Sequence, residues 1–181
     1  PYYETGWSRN LVYPHIGFDE MHFIDYFDQT KILREYITDQ ELYDKIIKRY
    51  ENRKNNEKLF FMGITMQNHG GYTETYDNFP ENYYKVGRSY TDANQYLSLV
   101  HESDEAVKNL ISYFSKVDDP VEIIFFGDHQ PSLNSNFYPI LNGKGLTGLT
   151  EDELEKLYTV PFFIWTNYDT PEETVDITSL D

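Results

Sequence analysis

The sequence predicts an α/β fold in which helices flank a mostly parallel sheet. Residues 58–66, "KLFFMGITM", and residues 121–126, "VEIIFF", are short, nearly continuous apolar runs, the pattern of strands covered on both faces. A helical period over residues 91–117 lies between them. Strand, long helix, strand in that order is a crossover unit, which sets the two strands parallel in one sheet.

The elements follow in chain order. Residues 1–27 are aromatic and turn-rich, with no clear period. In "ITDQELYDKIIKRYENRKNN", Thr38 and Glu41 have the spacing of a capping box, and Ile37 with Leu42 that of its hydrophobic staple. Leu42, Ile46 and Tyr50 then make one apolar face, so a helix is predicted over residues 39–53. Residues 70–87 read as a loop rich in Tyr and Asn. In the long helix, Ala93, Tyr96, Leu97, Val100, Val107, Leu110, Ile111 and Phe114 form the apolar stripe, with Asp104 on the same stripe. Thr150 with Glu153 repeats the capping box for a short helix. "VPFFIWTNY" is a third strand, with Pro161 at its start because proline cannot donate to a ladder.

Composition bounds the partners. The 181 residues carry 31 acidic and 15 basic side chains, a formal charge of -16, which argues against nucleic acid and against an anionic membrane surface. A phosphate-bearing ligand would need local cations or a metal to hold it against that field. With no cysteine, disulfides, thiolate nucleophiles and thiolate metal sites are excluded. No apolar run approaches the roughly 20 residues that span a bilayer. The start, "PYYETGWSRN", has neither a basic nor an apolar leader segment and reads as a piece of a longer protein.

Two strands end in chemistry. In "FFGDHQPSL" an apolar run breaks at Gly127 and is followed at once by Asp128 and His129; in "GITMQNHGGY" a second run leads to His69. Ligands of open parallel sheets bind beyond the carboxyl ends of strands, so the three side chains are expected in one crevice. A carboxylate oxygen with an imidazole nitrogen suits Mn²⁺ or Zn²⁺. The alternative is an Asx-turn at Asp128 with an exposed His129, and a tight turn at Gly70 and Gly71 that merely carries His69.

"GWSRN", "VYPHIGFDE", "ITMQNHGGY", "FFGDHQPSL" and "PFFIWTNY", in this order and spacing, resemble the lipoteichoic-acid synthase family, sulfatase-like phosphoglycerol transferases of the alkaline phosphatase superfamily. The resemblance runs over essentially the whole chain. It implies a partial alkaline-phosphatase/sulfatase-like domain: residues 1–181 as a single fragment, the later part of an extracellular catalytic domain that membrane helices precede. It matches Asp128 and His129 to metal ligands, His69 to a histidine on the substrate phosphate, and Trp7 and Arg9 to the pair that holds the phosphoglycerol group. Without the resemblance, Trp7 and Arg9 read as an aromatic–cation stack that fixes the N-terminal loop.

The resemblance also sets the expected chemistry. The family's nucleophilic threonine and a glutamate ligand lie upstream, and a further substrate histidine would fall just before Pro1. The parent protein is expected to use a divalent ion, Mn²⁺ with Mg²⁺ or Zn²⁺ as alternatives. Its threonine would attack phosphatidylglycerol, release diacylglycerol, and pass phosphoglycerol to an acceptor hydroxyl of a glycerophosphate polymer such as lipoteichoic acid. The expected location is the outer face of a bacterial cell membrane, reached only through parts outside this chain. The 181 residues alone are expected to be inactive and to hold the ion weakly or not at all. Two other readings stay open: a sulfatase- or phosphatase-type ester hydrolase of the same superfamily, and a non-catalytic relative that binds glycerophosphate.

Overall fold

The computed structural model describes residues 1–79 and 90–177. Its elements are α1 (Arg9–Val12), β1 (Ile32–Leu33), β2 (Tyr36–Ile37), α2 (Asp39–Glu51), α3 (Thr91–Phe114), β3 (Glu122–Phe126), α4 (Tyr138–Asn142), α5 (Glu151–Glu155) and β4 (Phe162–Thr166). The loop expected over residues 70–87 falls partly outside the described residues.

Local signals place the helices. Thr38 Oγ1 accepts the N–H of Glu41 at 3.2 Å and starts α2 as predicted. The box is not closed, because the Glu41 carboxylate accepts the N–H of Asp28 at 2.9 Å instead and ties the incoming loop to the helix. At α5 the reciprocal box of Thr150 and Glu153 is complete. In α3 the buried stripe is Leu99, Ser103, Ala106, Leu110 and Phe114, whereas Val100 is exposed. Of the predicted apolar stripe, Ala93, Leu110 and Phe114 are buried and Tyr96, Leu97, Val107 and Ile111 half-buried, so Val100 is the position that departs from it.

The core lies between α2 and α3. Leu42, Tyr43, Ala106, Leu110 and Phe114 join Phe27 and Ile37 there, and Val121, Ile123 and Trp165 close it from the sheet side. Each such large side chain withdrawn from water contributes roughly 1.5–3 kcal/mol.

The sheet differs from the expectation. Among the described residues there are two antiparallel pairs, β1 with β2 and β3 with β4, and no parallel pair. Residues 58–66 form no strand and have no ladder partners among the described residues, so no crossover unit forms with β3. Only one face of the β3–β4 pair meets the core; Ile124, Phe126 and Ile164 on the other face are exposed. Runs apolar on both faces gave the pattern of a doubly covered sheet, but only the inward face has a cover here.

Candidate functional site

The N-terminal turn builds the first half of the site. Trp7 and Ser8 sit in a short 3-10 turn with φ of +52° and +55°, left-handed values that cost a non-glycine residue free energy. That bend leaves Trp7 62% exposed, with its ring 5.5 Å from Tyr2 and 6.1 Å from His69, centroid to centroid. Gly6 is needed for it: a Cβ there would stand 2.8 Å from the Tyr2 ring. The Arg9 guanidinium lies 4.8 Å from the Trp7 ring centroid, within cation–π range.

Arg9 is buried, and so is Arg34; they are the two buried basic side chains among the described residues. Neither has a carboxylate partner among the described residues, whereas Lys45, Arg49, Arg53, Lys108 and Lys144 all do. Arg34 spends its Nη donors on three backbone carbonyls and Gln95, so Arg9 is the buried guanidinium suited to receive an exogenous oxyanion.

His69 completes this half. Its Nδ1 lies 2.9 Å from the Gly70 carbonyl and 3.1 Å from the Tyr36 hydroxyl. A carbonyl can only accept, so Nδ1 carries a proton and Nε2 is the ring atom left for a ligand. Burial raises the Tyr36 phenol above its ordinary pKa, which keeps it a neutral hydrogen-bonding partner. The structure therefore brings Trp7, Arg9 and His69 together. It also adds Tyr36 and Arg34, which sequence reasoning missed. The available signal was the pairing of Ile32–Leu33 with Tyr36–Ile37 about a two-residue turn, a hairpin pattern without the usual glycine.

Asp128 and His129 follow the carboxyl end of β3 directly, where the Gly127 N–H bonds the Pro161 carbonyl at 3.2 Å. Asp128 Oδ1 accepts the His129 N–H at 2.9 Å, and His129 Nδ1 meets the Gln130 carbonyl at 2.8 Å. Those bonds leave Asp128 Oδ2 and His129 Nε2 facing each other 3.5 Å apart on exposed side chains. Two metal–ligand bonds of about 2.0–2.2 Å reach across such a gap, and a carbonyl on the far ring nitrogen is the usual orienting partner of a ligating histidine. The pair fits one divalent ion as two of its ligands. No group of three or more His, Cys, Asp or Glu side chains suited to a metal forms among the described residues.

Tyr72 links the two halves. Its hydroxyl donates to the Asn68 carbonyl at 2.7 Å, next to His69, and its ring packs in a cluster with Leu99, Tyr96 and Leu133, the last on the loop after His129. Burial pushes its phenol up to about 12, and the negative charge of Asp128 adds to the rise. Asp92, in the first turn of α3, accepts the N–H of Asn134 and anchors the same loop.

Comparison with known proteins shows the family and the fold. The sequence matches the Sulfatase family over residues 1–179, and the chain belongs to that family. Among curated relatives, the capsular polysaccharide biosynthesis protein RkpI of Rhizobium meliloti (strain 1021) is 33% identical over 137 residues, covering 75% of this chain and 24% of that protein. A putative cyclic β-1,2-glucan modification protein of the same organism is 25% identical, covering 97% of this chain and 28% of its own length. Two solved structures share the fold. The Streptococcus pyogenes phosphoglycerol transferase GacH, in complex with sn-glycerol-1-phosphate, has a TM-score of 0.64 at 23% identity, over 92% of this chain and 42% of that one. The lipoteichoic acid synthase LtaP of Listeria monocytogenes has a TM-score of 0.69 at 20% identity, over 90% of this chain and 41% of that one. The chain thus spans roughly a quarter of the curated relatives' length and about two fifths of the solved chains' length. Among the described residues, no helix is long and apolar enough to cross a membrane.

Proposed function

We propose that these residues form the phosphate-holding part of a metal-dependent phosphoglycerol transferase that draws on phosphatidylglycerol and works at the outer face of a bacterial cell membrane. The observation that carries the reading is Arg9: a buried guanidinium stacked on Trp7, whose ring also neighbours His69, with no carboxylate partner among the described residues. In a chain of charge -16, that is where an anion can dock.

Each residue has a part. Arg9 offers a planar donor fork to two phosphoryl oxygens. Trp7 gives the glycerol moiety an apolar wall and holds the guanidinium in plane. His69, with Nδ1 committed to Gly70 and Tyr36, presents Nε2 to the phosphate, either to neutralise it or to protonate the departing alkoxide. Asp128 and His129 would hold the divalent ion, Mn²⁺ by preference, through Oδ2 and Nε2. When bound, such an ion supplies charge stabilisation to the phosphoryl oxygens and lowers the pKa of a coordinated hydroxyl. A glycerophosphate polymer such as lipoteichoic acid is one acceptor; the names of the two curated relatives favour a glycan hydroxyl.

The test is calorimetric titration of sn-glycerol-1-phosphate and inorganic sulfate into the chain, with diacylglycerol release measured on the intact protein. Preferred binding of the glycerophosphate, lost in Arg9→Ala, and metal-dependent diacylglycerol release support transfer. Preferred binding of sulfate with ester hydrolysis and no transfer would replace this reading with the hydrolase one, which the Sulfatase family match favours.

A further inference from the structure

We propose that Arg34 is the positioning residue of this site: its guanidinium fixes the backbone of residues 67–71 and thereby the place and ring orientation of His69. The inference rests on His69 as the phosphate contact described above.

Arg34 stands where the local rules ask for another residue. Leu33 pairs with Tyr36, so Arg34 and Glu35 form a two-residue hairpin turn. Arg34 has φ +55° and Glu35 does not share a positive φ, the pattern of a II′ turn, whose first central position favours glycine. A hairpin turn also normally points its side chains at water, yet Arg34 is 5% exposed. A residue that violates both backbone preference and burial preference needs a compensating set of contacts.

Those contacts converge on the His69 loop. Nη2 donates to the carbonyls of Gln67 at 2.9 Å and His69 at 2.7 Å. Nη1 donates to the carbonyl of Gly71 at 2.9 Å and to Gln95 Oε1 at 3.1 Å. Gln95 lies on α3 and passes the hold on, its Nε2 donating to the Glu74 carbonyl at 2.8 Å. The rings of Tyr36, Tyr72 and Tyr76 stand 5.5–5.9 Å from the guanidinium carbon and replace the water that the cation has lost. One side chain therefore joins the hairpin, α3 and three carbonyls of a single five-residue loop. Tyr36, on the adjoining strand, hydrogen-bonds the His69 ring itself. Lysine cannot reproduce the arrangement, because a point ammonium lacks the planar fork.

The test uses the 181-residue chain, an imidazole nitrogen–proton correlation spectrum and titration with sn-glycerol-1-phosphate. Arg34→Gly removes the guanidinium and relaxes the turn, so the hairpin survives; Arg34→Lys keeps the charge and loses the fork. In both variants the His69 imidazole signals shift or broaden while those of His15 and His22 stay. Affinity for the glycerophosphate falls about tenfold in Arg34→Gly and in His69→Ala. In the His69→Ala background, Arg34→Gly has no further effect. A purely structural role would lower affinity alike in both backgrounds and disturb His15 and His22, and that result overturns the proposal. So do unchanged His69 signals in Arg34→Gly, whatever the binding shows. If the unaltered chain ignores glycerophosphate but its His69 signals respond to Arg34→Gly, the proposed function falls and the positioning role stands.

Discussion

Ser103 on α3 donates a 2.6 Å hydrogen bond to the buried carboxylate of Asp39 at the start of α2. Burial pushes the Asp39 carboxyl up to about 6, and the Ser103 donor only partly opposes the rise. The folded-state value is thus above the unfolded one, near 3.9. The protonated form is the one the fold favours, so this stability is complete below about pH 4 and is lost as pH climbs through 6. The shift corresponds to at most about 3 kcal/mol. Asp39→Asn should flatten urea-unfolding stability between pH 4 and pH 7 relative to the unaltered chain. Glu57 and Glu153, held down at about 2 by Arg49 and Lys144, act below pH 4.5 in both proteins and cancel in the comparison. Parallel pH profiles for the two proteins would rule out Asp39 as the source.

Leu110 and Val100 separate the covered from the open face of α3. Leu110→Ala should cost about 2–5 kcal/mol of unfolding free energy, a cavity in the α2–α3 core. Val100→Ala and Lys108→Ala should each stay under about 0.5 kcal/mol. Chemical denaturation of the three variants decides it; equal losses would mean that the phase of the helix is wrong.

Asp128 and His129 are expected to bind the ion only as part of a larger set. The 181-residue chain should show weak Mn²⁺ binding or none by calorimetry, and no diacylglycerol release. The intact protein should show both, and Asp128→Ala or His129→Ala should abolish both there. Metal-dependent turnover by the 181 residues alone would show that the site is complete without further ligands.

Ile124 and Ile164 pair directly across the β3–β4 register and both point to the open face. With Phe126 beside them they form an exposed apolar surface of the kind that drives association. The isolated chain should self-associate in sedimentation experiments. Replacing both isoleucines by lysine should shift it toward monomer, while the thermal midpoint changes little because neither side chain meets the core. A monomeric unaltered chain would contradict the prediction.

Legibility in the sequence tracked the range of the interaction. Thr38, Thr150, the second half of α3 and the two strands 122–126 and 162–166 were readable because caps and periods act within a few residues. Pairing direction was not, because nothing within "VEIIFF" states which strand lies beside it. Residues 58–66 have strand composition, but a strand also needs ladder partners, and their sequence does not say where those lie. Trp7, Arg9 and His69 were named from resemblance, and Arg9 and His69 each neighbour the Trp7 ring. Arg34 was invisible for a physical reason: an arginine in a two-residue turn reads as a solvated tip, and only the positive φ turns it inward.

The burial of Arg9, without an ion-pair partner among the described residues, has a kinetic consequence. An approaching phosphate anion would meet the field of a chain with net charge -16 long before it met the guanidinium. At an ionic strength of about 0.1 M that field decays over roughly 10 Å, whereas contacts to a buried guanidinium are screened far less. Added salt should therefore speed the encounter at first, the reverse of the usual slowing when an anion is steered to a basic surface. The exterior would act as a toll on charge that favours weakly anionic diesters over multiply charged phosphates.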